Sequence, residues 1–148
     1  MNPRFGAGFT MLELMVVLVL MVMVYAIAVP MISSVLPGTE LKSAARELAA
    51  GLRQARSLAV TRKSQAALTL DVENHQFKIS GDQRNYPLPP KLDLSLYTAQ
   101  SELSQDKVGA IRFYADGSST GGRISVGLGK RKYLVDVDWL TGQVRILD

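Results

Sequence analysis

The sequence of 148 residues contains no cysteine. Disulfide bonds, thiolate nucleophiles and cysteine-bound zinc are therefore excluded. Histidine is nearly as scarce: His75 is the only one, and a lone imidazole makes neither a metal site nor a catalytic triad. His75 follows Glu73-Asn74 in a predicted turn, where we expect it to be exposed to solvent. These absences favour a protein that is not an enzyme and that needs no cofactor and no metal.

A strong charge of either sign is also absent. The formal net charge is +4, and the basic residues are dispersed apart from Arg62-Lys63 and Lys130-Arg131-Lys132. This pattern is weaker than the clustered cationic stripe of a dedicated nucleic-acid-binding protein. We therefore interpret most of these charges as a solvated surface, and nucleic acid is not a predicted partner.

A long apolar run is present near the start of the sequence. It covers residues 9–29 and is interrupted only by Thr10 and Glu13. About 20 residues in a helix reach ~30 Å, which is the thickness of a bilayer core. Residues 9–30 are therefore predicted to cross a membrane as a helix.

The residues that flank the run predict its processing and its orientation. An Ala-x-Ala cleavage site is not evident after the run, whereas small residues precede it at Gly6-Ala7-Gly8. Arg4 lies in this short leader, and no further basic residue occurs before Lys42. This asymmetry orients the N-terminus toward the cytoplasm. Residues 1–8 are predicted to be a leader, and roughly 110 residues remain beyond the anchor, a common size for one compact domain.

Glu13 is the only charged residue within the apolar run. A carboxylate at the centre of a bilayer costs about 2.5 to 3.5 kcal/mol. Glu13 is therefore a candidate functional residue. Its position soon after Gly8 also allows a second interpretation, in which it is solvated at the membrane surface.

The segment Gly8-Phe9-Thr10-Met11-Leu12-Glu13-Leu14 resembles the class III signal of type IV prepilins and type II secretion pseudopilins. The resemblance implies that a prepilin peptidase cleaves after Gly8 and methylates the new amine of Phe9. The apolar helix then becomes the filament core, and Pro30 kinks it. The freed amine has a reference pKa of about 7.7 to 8.0, so Glu13 of one subunit can pair with the amine of a neighbour and set their register.

Residues 31–63 are predicted to form an amphipathic helix. Pro37-Gly38 interrupts the helical pattern, and Thr39 is a candidate cap for a new helical segment. The apolar positions form one stripe, which we expect to pack on a sheet rather than in a coiled coil. The stripe consists of Leu41, Ala45, Leu48, Leu52, Ala55 and Ala59.

Residues 64–148 alternate between apolar and polar residues in short runs, which predicts an antiparallel β domain and an α+β fold. Loops are predicted over residues 81–90 and 99–107. Tyr133 and Trp139 share the spacing of one strand and are predicted to be core residues. The strands are expected around Leu68, Phe77, Leu94, Ile111, Ile124, Val135 and Val144.

The run Asp116-Gly117-Ser118-Ser119-Thr120-Gly121-Gly122-Arg123-Ile124 resembles a hairpin of the H-type minor pseudopilins (GspH) of type II secretion. Residues 137–144 resemble the terminal hairpin of the same proteins, and Ala115 departs from the Pro often expected before the Asp. A phosphate-binding loop would need a helix after Gly122. A β-patterned run follows instead, so residues 117–122 are predicted to form a hairpin loop in which glycine permits positive φ.

Together these resemblances imply a type IV pilin-like fold and a structural role. The implied protein is a minor pseudopilin near the tip of the type II secretion pseudopilus, which helps to export folded proteins across the outer membrane. Its implied partners are other minor and major pseudopilins, the prepilin peptidase, the inner-membrane assembly platform and, as a further candidate, a secreted substrate. It would cross the inner membrane once, with its N-terminus in the cytoplasm and its C-terminal domain in the periplasm.

The alternative is a FimT-like minor pilin of a type IV pilus that binds DNA for uptake. Binding to phosphates would weaken steeply with salt, which distinguishes this role from the first. The candidate phosphate contacts are Arg123, Lys130, Arg131, Lys132 and Arg145.

Overall fold

The computed structural model of the protein describes residues 9–98 and 107–148, apart from the side chains of residues 27–37. The predicted leader with Gly8, the side chain of Pro30 and most of the predicted 99–107 loop lie outside the described residues. The kink at Pro30 therefore stays a prediction. The chain forms two compact units, Met1–Pro37 and Gly38–Asp148. Helix α1, Met11–Arg62, contributes residues to both.

The first unit contains the start of α1. Thr10 precedes the helix, and its Oγ1 accepts a hydrogen bond of 3.2 Å from the backbone N–H of Glu13, which satisfies a free donor of the first turn. Glu13 lies in that turn, where a negative charge interacts favourably with the helix dipole. The side chains of residues 9–26 are all exposed. Within the described part of the chain, no helical stretch combines the length and the apolar character that a membrane crossing requires.

The candidate cap Thr39 does not begin a new helical segment, because α1 is one long helix that includes this residue. Lys42 stands where a capping box has Glu or Gln, so the sequence signal for a helix start at this point is only partial. Good helix formers follow Thr39, including Glu40 and Leu41.

In the second unit, the predicted stripe of α1 is confirmed as the helical part of the core. All six of its residues are at most 1% exposed. The sheet approaches the helix closely at Gly51, where a Cβ would lie 2.8 Å from the Phe77 ring and 3.0 Å from Leu68. Small residues on this face therefore allow the helix to pack directly onto the strands.

In the described ranges, residues 9–98 and 107–148, eight strands form two antiparallel sheets. The first sheet has the order β3-β2-β1-β5 and the second has the order β4-β6-β7-β8. Apolar residues in register line their inner faces: Leu68 pairs with Ile79 and Ile111, and Ile124 pairs with Leu96 and Val135. The predicted α+β class is confirmed. The strands are β1 Ala66–Asp71, β2 Gln76–Ile79, β3 Tyr86–Pro87, β4 Asp93–Thr98, β5 Val108–Phe113, β6 Gly122–Leu128, β7 Arg131–Val137 and β8 Val144–Leu147.

Three local predictions are corrected by the structure, two of them by contacts that are distant in sequence. The predicted 81–90 loop contains β3, because the Tyr86 ring stacks on Phe77 with 4.9 Å between centroids. His75 is half-buried rather than exposed, since its Nε2 lies 2.9 Å from the carbonyl oxygen of Leu92. Trp139 is 66% exposed and lies beyond the end of β7, so it is not a core residue.

Leu52→Ala is expected to lower the free energy of unfolding by about 2–5 kcal/mol, because it empties space in the packed core. Leu52 is fully buried, whereas Leu140 is 63% exposed. The matched control Leu140→Ala should therefore change stability by less than about 0.5 kcal/mol. Urea unfolding of the full chain, followed by circular dichroism, measures both variants. Equal effects would show that the stripe is not the core.

Candidate functional site

The N-terminal motif presents a free charge beside an exposed apolar surface. Phe9 is 84% exposed, and α1 begins two residues later. Among the described residues, Glu13 uses its backbone N–H for the Thr10 cap, and its carboxylate has no ion-pair or hydrogen-bond partner. The Glu13 carboxylate is therefore available to a group from outside the chain.

The connection between β5 and β6 is not a hairpin between adjacent strands. β5 pairs with β1, whereas β6 pairs with β4 and β7, so residues 114–121 cross from the first sheet to the second. The prediction of a plain hairpin loop is corrected on this point. A small turn remains within the connection, closed by a single bridge between Phe113 and Ser119. Sequence pattern located the strands but could not show which of them pair.

Side-chain and backbone hydrogen bonds shape this connection, which we call the crossover turn (residues 114–121). Asp116 Oδ1 accepts hydrogen bonds from the Ser118 backbone N–H (3.0 Å) and from the Ser118 hydroxyl (2.6 Å). These bonds hold the pKa of Asp116 below its ordinary value, with the hydroxyl as the main cause. Gly117 N–H donates to the Tyr114 carbonyl oxygen over 2.9 Å. Asp116 and Gly117 therefore have a structural role in the turn.

Gly121, the last residue of the crossover turn, and Gly122, the first residue of β6, are closely packed. Gly121 packs against Trp139: a Cβ added at Gly121 would lie 3.0 Å from the Cβ of Trp139. Gly122 begins β6 with a φ of 151°, and an added Cβ would lie 2.9 Å from the carbonyl oxygen of Tyr97. A larger residue at Gly122 would therefore disturb the pairing of β6 with β4.

The terminal turn (residues 138–143) joins β7 to β8, and its prediction as a hairpin is confirmed by the pairing of Val137 with Val144. Asp138 Oδ1 accepts hydrogen bonds from Leu140 N–H (3.0 Å), Thr141 N–H (2.8 Å) and the Thr141 hydroxyl (2.9 Å). These bonds lower the pKa of Asp138 from its ordinary value, with the Thr141 backbone N–H as the largest cause.

The crossover turn and the terminal turn are bonded directly to each other. Ser119 N–H donates to the Trp139 carbonyl oxygen over 2.8 Å. The Ser119 hydroxyl donates to the Asp138 carbonyl oxygen over 3.0 Å. The two segments that resemble H-type pseudopilins therefore form one junction between the sheets.

Arg56 of α1 attaches the helix to this junction. Its Nε donates to the Gly117 carbonyl oxygen (3.1 Å), and its Nη2 donates to the Thr141 carbonyl oxygen (2.9 Å). Arg53, one turn earlier, donates from Nη2 to the Val144 carbonyl oxygen over 3.3 Å. Sequence analysis did not identify Arg56 as a site residue. Its position beside the apolar stripe gave no indication of which carbonyl groups it would reach.

Gly142 provides the space that this attachment needs. Its φ is +62°, a conformation that glycine adopts without strain. A Cβ at this position would overlap the Gly117 carbonyl oxygen and would lie 2.9 Å from Nε of Arg56. The absence of a side chain at Gly142 therefore allows α1 and both turns to meet.

The basic candidates for DNA contacts do not form one cationic stripe. Arg123 forms an ion pair of 2.9 Å with Asp136, and Asp136 also pairs in register with Arg145. Lys132 shares their face of the second sheet, since it lies four residues before Asp136 on β7. Lys130 lies in the β6–β7 turn. The Arg131 guanidinium instead lies near Gly38, 2.9 Å from the position of an added Cβ.

Solved structures with the same fold define the class of the protein. The chain resembles two crystal forms of FimU, a type IV minor pilin of Pseudomonas aeruginosa, with TM-scores of 0.56 and 0.58 and identities of 16% and 18%. These matches cover 72% and 76% of this chain, and 92% and 91% of FimU. EpsH, a minor pseudopilin from the type 2 secretion system of Vibrio cholerae, has a TM-score of 0.58 and 15% identity, over 73% of this chain and 96% of EpsH. The protein therefore has a type IV pilin-like fold.

Sequence comparison gives the family. The family described as type II transport protein GspH matches residues 44–141, which is more than half of the chain. The type II secretion system protein H of Xanthomonas campestris pv. campestris is 32% identical over 138 residues, covering 93% of this chain and 81% of that protein. The chain belongs to the GspH family, and the predicted resemblance is confirmed.

Gly142→Ala is expected to destabilise the protein more than Gly129→Ala does. Both glycines have nearly the same positive φ, +62° and +61°, but nothing lies within 4 Å of a Cβ added at Gly129. Gly129→Ala should cost about 1–2 kcal/mol for the left-handed conformation. Gly142→Ala should cost a further ~1–3 kcal/mol for overpacking. Chemical unfolding of both variants measures this difference, and equal costs would contradict the proposed contact with Arg56.

Asp138→Asn is expected to reduce stability above about pH 4 and to have a smaller effect in acid. The folded-state pKa of Asp138 lies below the ordinary value of 3.8, so the ionised form stabilises the fold. That stabilisation is complete above the unfolded-state pKa and is lost as the pH falls through the folded-state pKa. Thermal unfolding between pH 2.5 and pH 7 measures it. A difference between wild type and variant that stays constant over this range would contradict the charged role of Asp138.

Proposed function

We propose that this chain is a structural minor pseudopilin of a type II secretion pseudopilus and that it assembles near the tip. The observation that carries the proposal is the surface at the start of α1. The side chains of residues 9–26 are exposed and mostly apolar, and the Glu13 carboxylate lies among them. An apolar surface of this kind favours burial against other apolar helices. Membership of the GspH family supports the same role, and the 32% identical relative is named as a type II secretion system protein.

Processing is proposed at the N-terminal motif. A prepilin peptidase would cleave between Gly8 and Phe9 and methylate the Phe9 amine. The apolar run of residues 9–29 supports an anchor in the inner membrane. Arg4 on the leader side supports a cytoplasmic N-terminus, which leaves the β domain in the periplasm.

Glu13 is proposed to set the stagger between subunits. The amine of a neighbouring Phe9 is positive near neutral pH, and the Glu13 carboxylate has no partner among the described residues. Between apolar helices, either charge alone would be poorly solvated. A misplaced subunit therefore leaves both charges unpaired, whereas the correct stagger pairs them.

The proposed role is mechanical rather than chemical. The helix would hold the subunit among the other minor and major pseudopilins on the inner-membrane assembly platform. The β domain would present a surface to those subunits or to a secreted substrate while folded proteins cross the outer membrane. The DNA-uptake alternative has less support, because Asp136 lies between Arg123 and Arg145 and neutralises the centre of that face.

Glu13→Ala is expected to leave leader removal intact and to lower incorporation into the assembly by at least about tenfold. The reason is that an unpaired buried charge costs ~3–5 kcal/mol. The amount of variant that co-purifies with the other pseudopilins measures incorporation, and N-terminal mass analysis checks for a mature chain that begins at methylated Phe9. Glu40→Ala is the matched control, since Glu40 is an exposed acid on the same helix. Normal co-purification of Glu13→Ala, or a chain clipped beyond residue 30, would contradict the proposal.

A further inference from the structure

A polar cleft lies between the last turns of α1 and the terminal turn. Its volume is ≈ 610 Å³, which is within the range of ligand-binding clefts. Arg53 and Arg56 contribute two guanidinium groups to its wall, and Ser57 and Thr61 contribute two hydroxyls. The helical period places these four residues on one side of α1. The opposite wall includes Gln143.

The two arginines of this cleft are held in place but are not neutralised. None of the lining residues is acidic, and the ion pairs found among the described residues involve neither Arg53 nor Arg56. A guanidinium has five N–H donors. Arg56 uses two of them on backbone carbonyl groups, and Arg53 uses one. The remaining donors of both residues have no protein partner in the part of the chain that the structure describes.

We infer that this cleft binds a carboxylate-bearing segment of another subunit of the assembly. Guanidinium groups match the geometry of a carboxylate and form bidentate, charge-assisted hydrogen bonds with it. Because Arg56 is already oriented by Gly117 and Thr141, binding orders fewer side-chain torsions than a free arginine would require. This inference rests on the proposed function, since it names the chemistry by which one subunit recognises another.

The surroundings of the cleft favour a protein segment as its occupant. Val60, which also lines the cleft, is 45% exposed, and Leu140 on the terminal turn is 63% exposed. Exposed apolar groups beside a pair of arginines suit a peptide that carries both an acidic and an apolar side chain. A nucleic acid would favour a longer cationic surface, and the cleft itself has only these two cations.

A zero-length cross-link tests the inference directly. Arg53→Lys in the full chain places a primary amine in the cleft while keeping its charge. A carbodiimide then joins that amine to any carboxylate in contact with it, forming an amide. The reaction is carried out on membranes of the native host, and mass spectrometry identifies the linked peptides. Arg46→Lys is the matched control, because Arg46 is exposed on the same helix and does not line the cleft.

The expected product links residue 53 to an Asp, Glu or C-terminal carboxylate of another pseudopilin, with a yield at least about tenfold above that of the control. A tenfold change corresponds to ~1.4 kcal/mol. Arg53→Glu should lower co-purification with that same partner by a similar factor, whereas Arg46→Glu should not. Unchanged unfolding midpoints show that each variant folds.

Four results would overturn the inference. The first is a yield no higher than that of the control, and the second is an equal loss of the partner in Arg46→Glu. The third is a link only to a carboxylate of the same chain, and the fourth is co-purified nucleic acid that Arg53→Glu alone removes. Co-purification of the unmodified chain with other pseudopilins distinguishes a failure of the cleft inference from a failure of the proposed function. If it occurs without the cross-link, the cleft is wrong and the proposed function stands. If it does not occur, the proposed function itself fails.

Discussion

The packing of the second unit depends on one constraint, which is the face of α1 that is turned toward the core. Leucine and alanine residues of one stripe are buried in a single cluster with residues of both sheets, and Gly51 lets Phe77 and Leu68 approach the helix closely. Burying that stripe fixes the direction of the other side chains on the part of the helix that belongs to the second unit, residues 38–62. Arg53 and Arg56 consequently face the terminal turn. A hydrophobic requirement thus determines where the polar contacts of the helix form.

The contacts of Arg56 show how a single side chain connects parts of the chain that are distant in sequence. The Gly117 carbonyl oxygen belongs to the crossover turn and the Thr141 carbonyl oxygen to the terminal turn. Ser119 bonds the two turns to each other. Backbone carbonyl groups at such a junction would otherwise lose hydrogen bonds to water without replacement. The arginine therefore satisfies polar groups at the point where helix and sheets converge.

Sequence periodicity was sufficient for the elements whose residues repeat at a regular spacing. The stripe of α1, the strands around Leu68 and Ile124 and the terminal hairpin were all predicted. Features that depend on distant partners were not: Tyr86 forms a strand because Phe77 is beside it, and the crossover turn changes sheets because of pairing that no local pattern encodes. Trp139 follows the alternation of β7, yet the turn held by Asp138 begins first and leaves the ring exposed. The contacts of Arg56 belong to the same group, since a long flexible side chain gives no periodic signal.

The packing at Gly142 illustrates the difference between residues that the fold requires and residues that are free to determine which partner is bound. Gly142 must remain small so that Arg56 can contact two carbonyl groups. The fold imposes this requirement, whatever partner the subunit binds. Likeness to a protein family at such a position therefore identifies the architecture and says little about the choice of partner. Specificity is free to reside in donors that the fold leaves unused, such as the remaining N–H groups of Arg53, and in the exposed residues of the terminal turn. Subunits with the same backbone fold could in this way occupy different positions in one assembly, each beside different subunits.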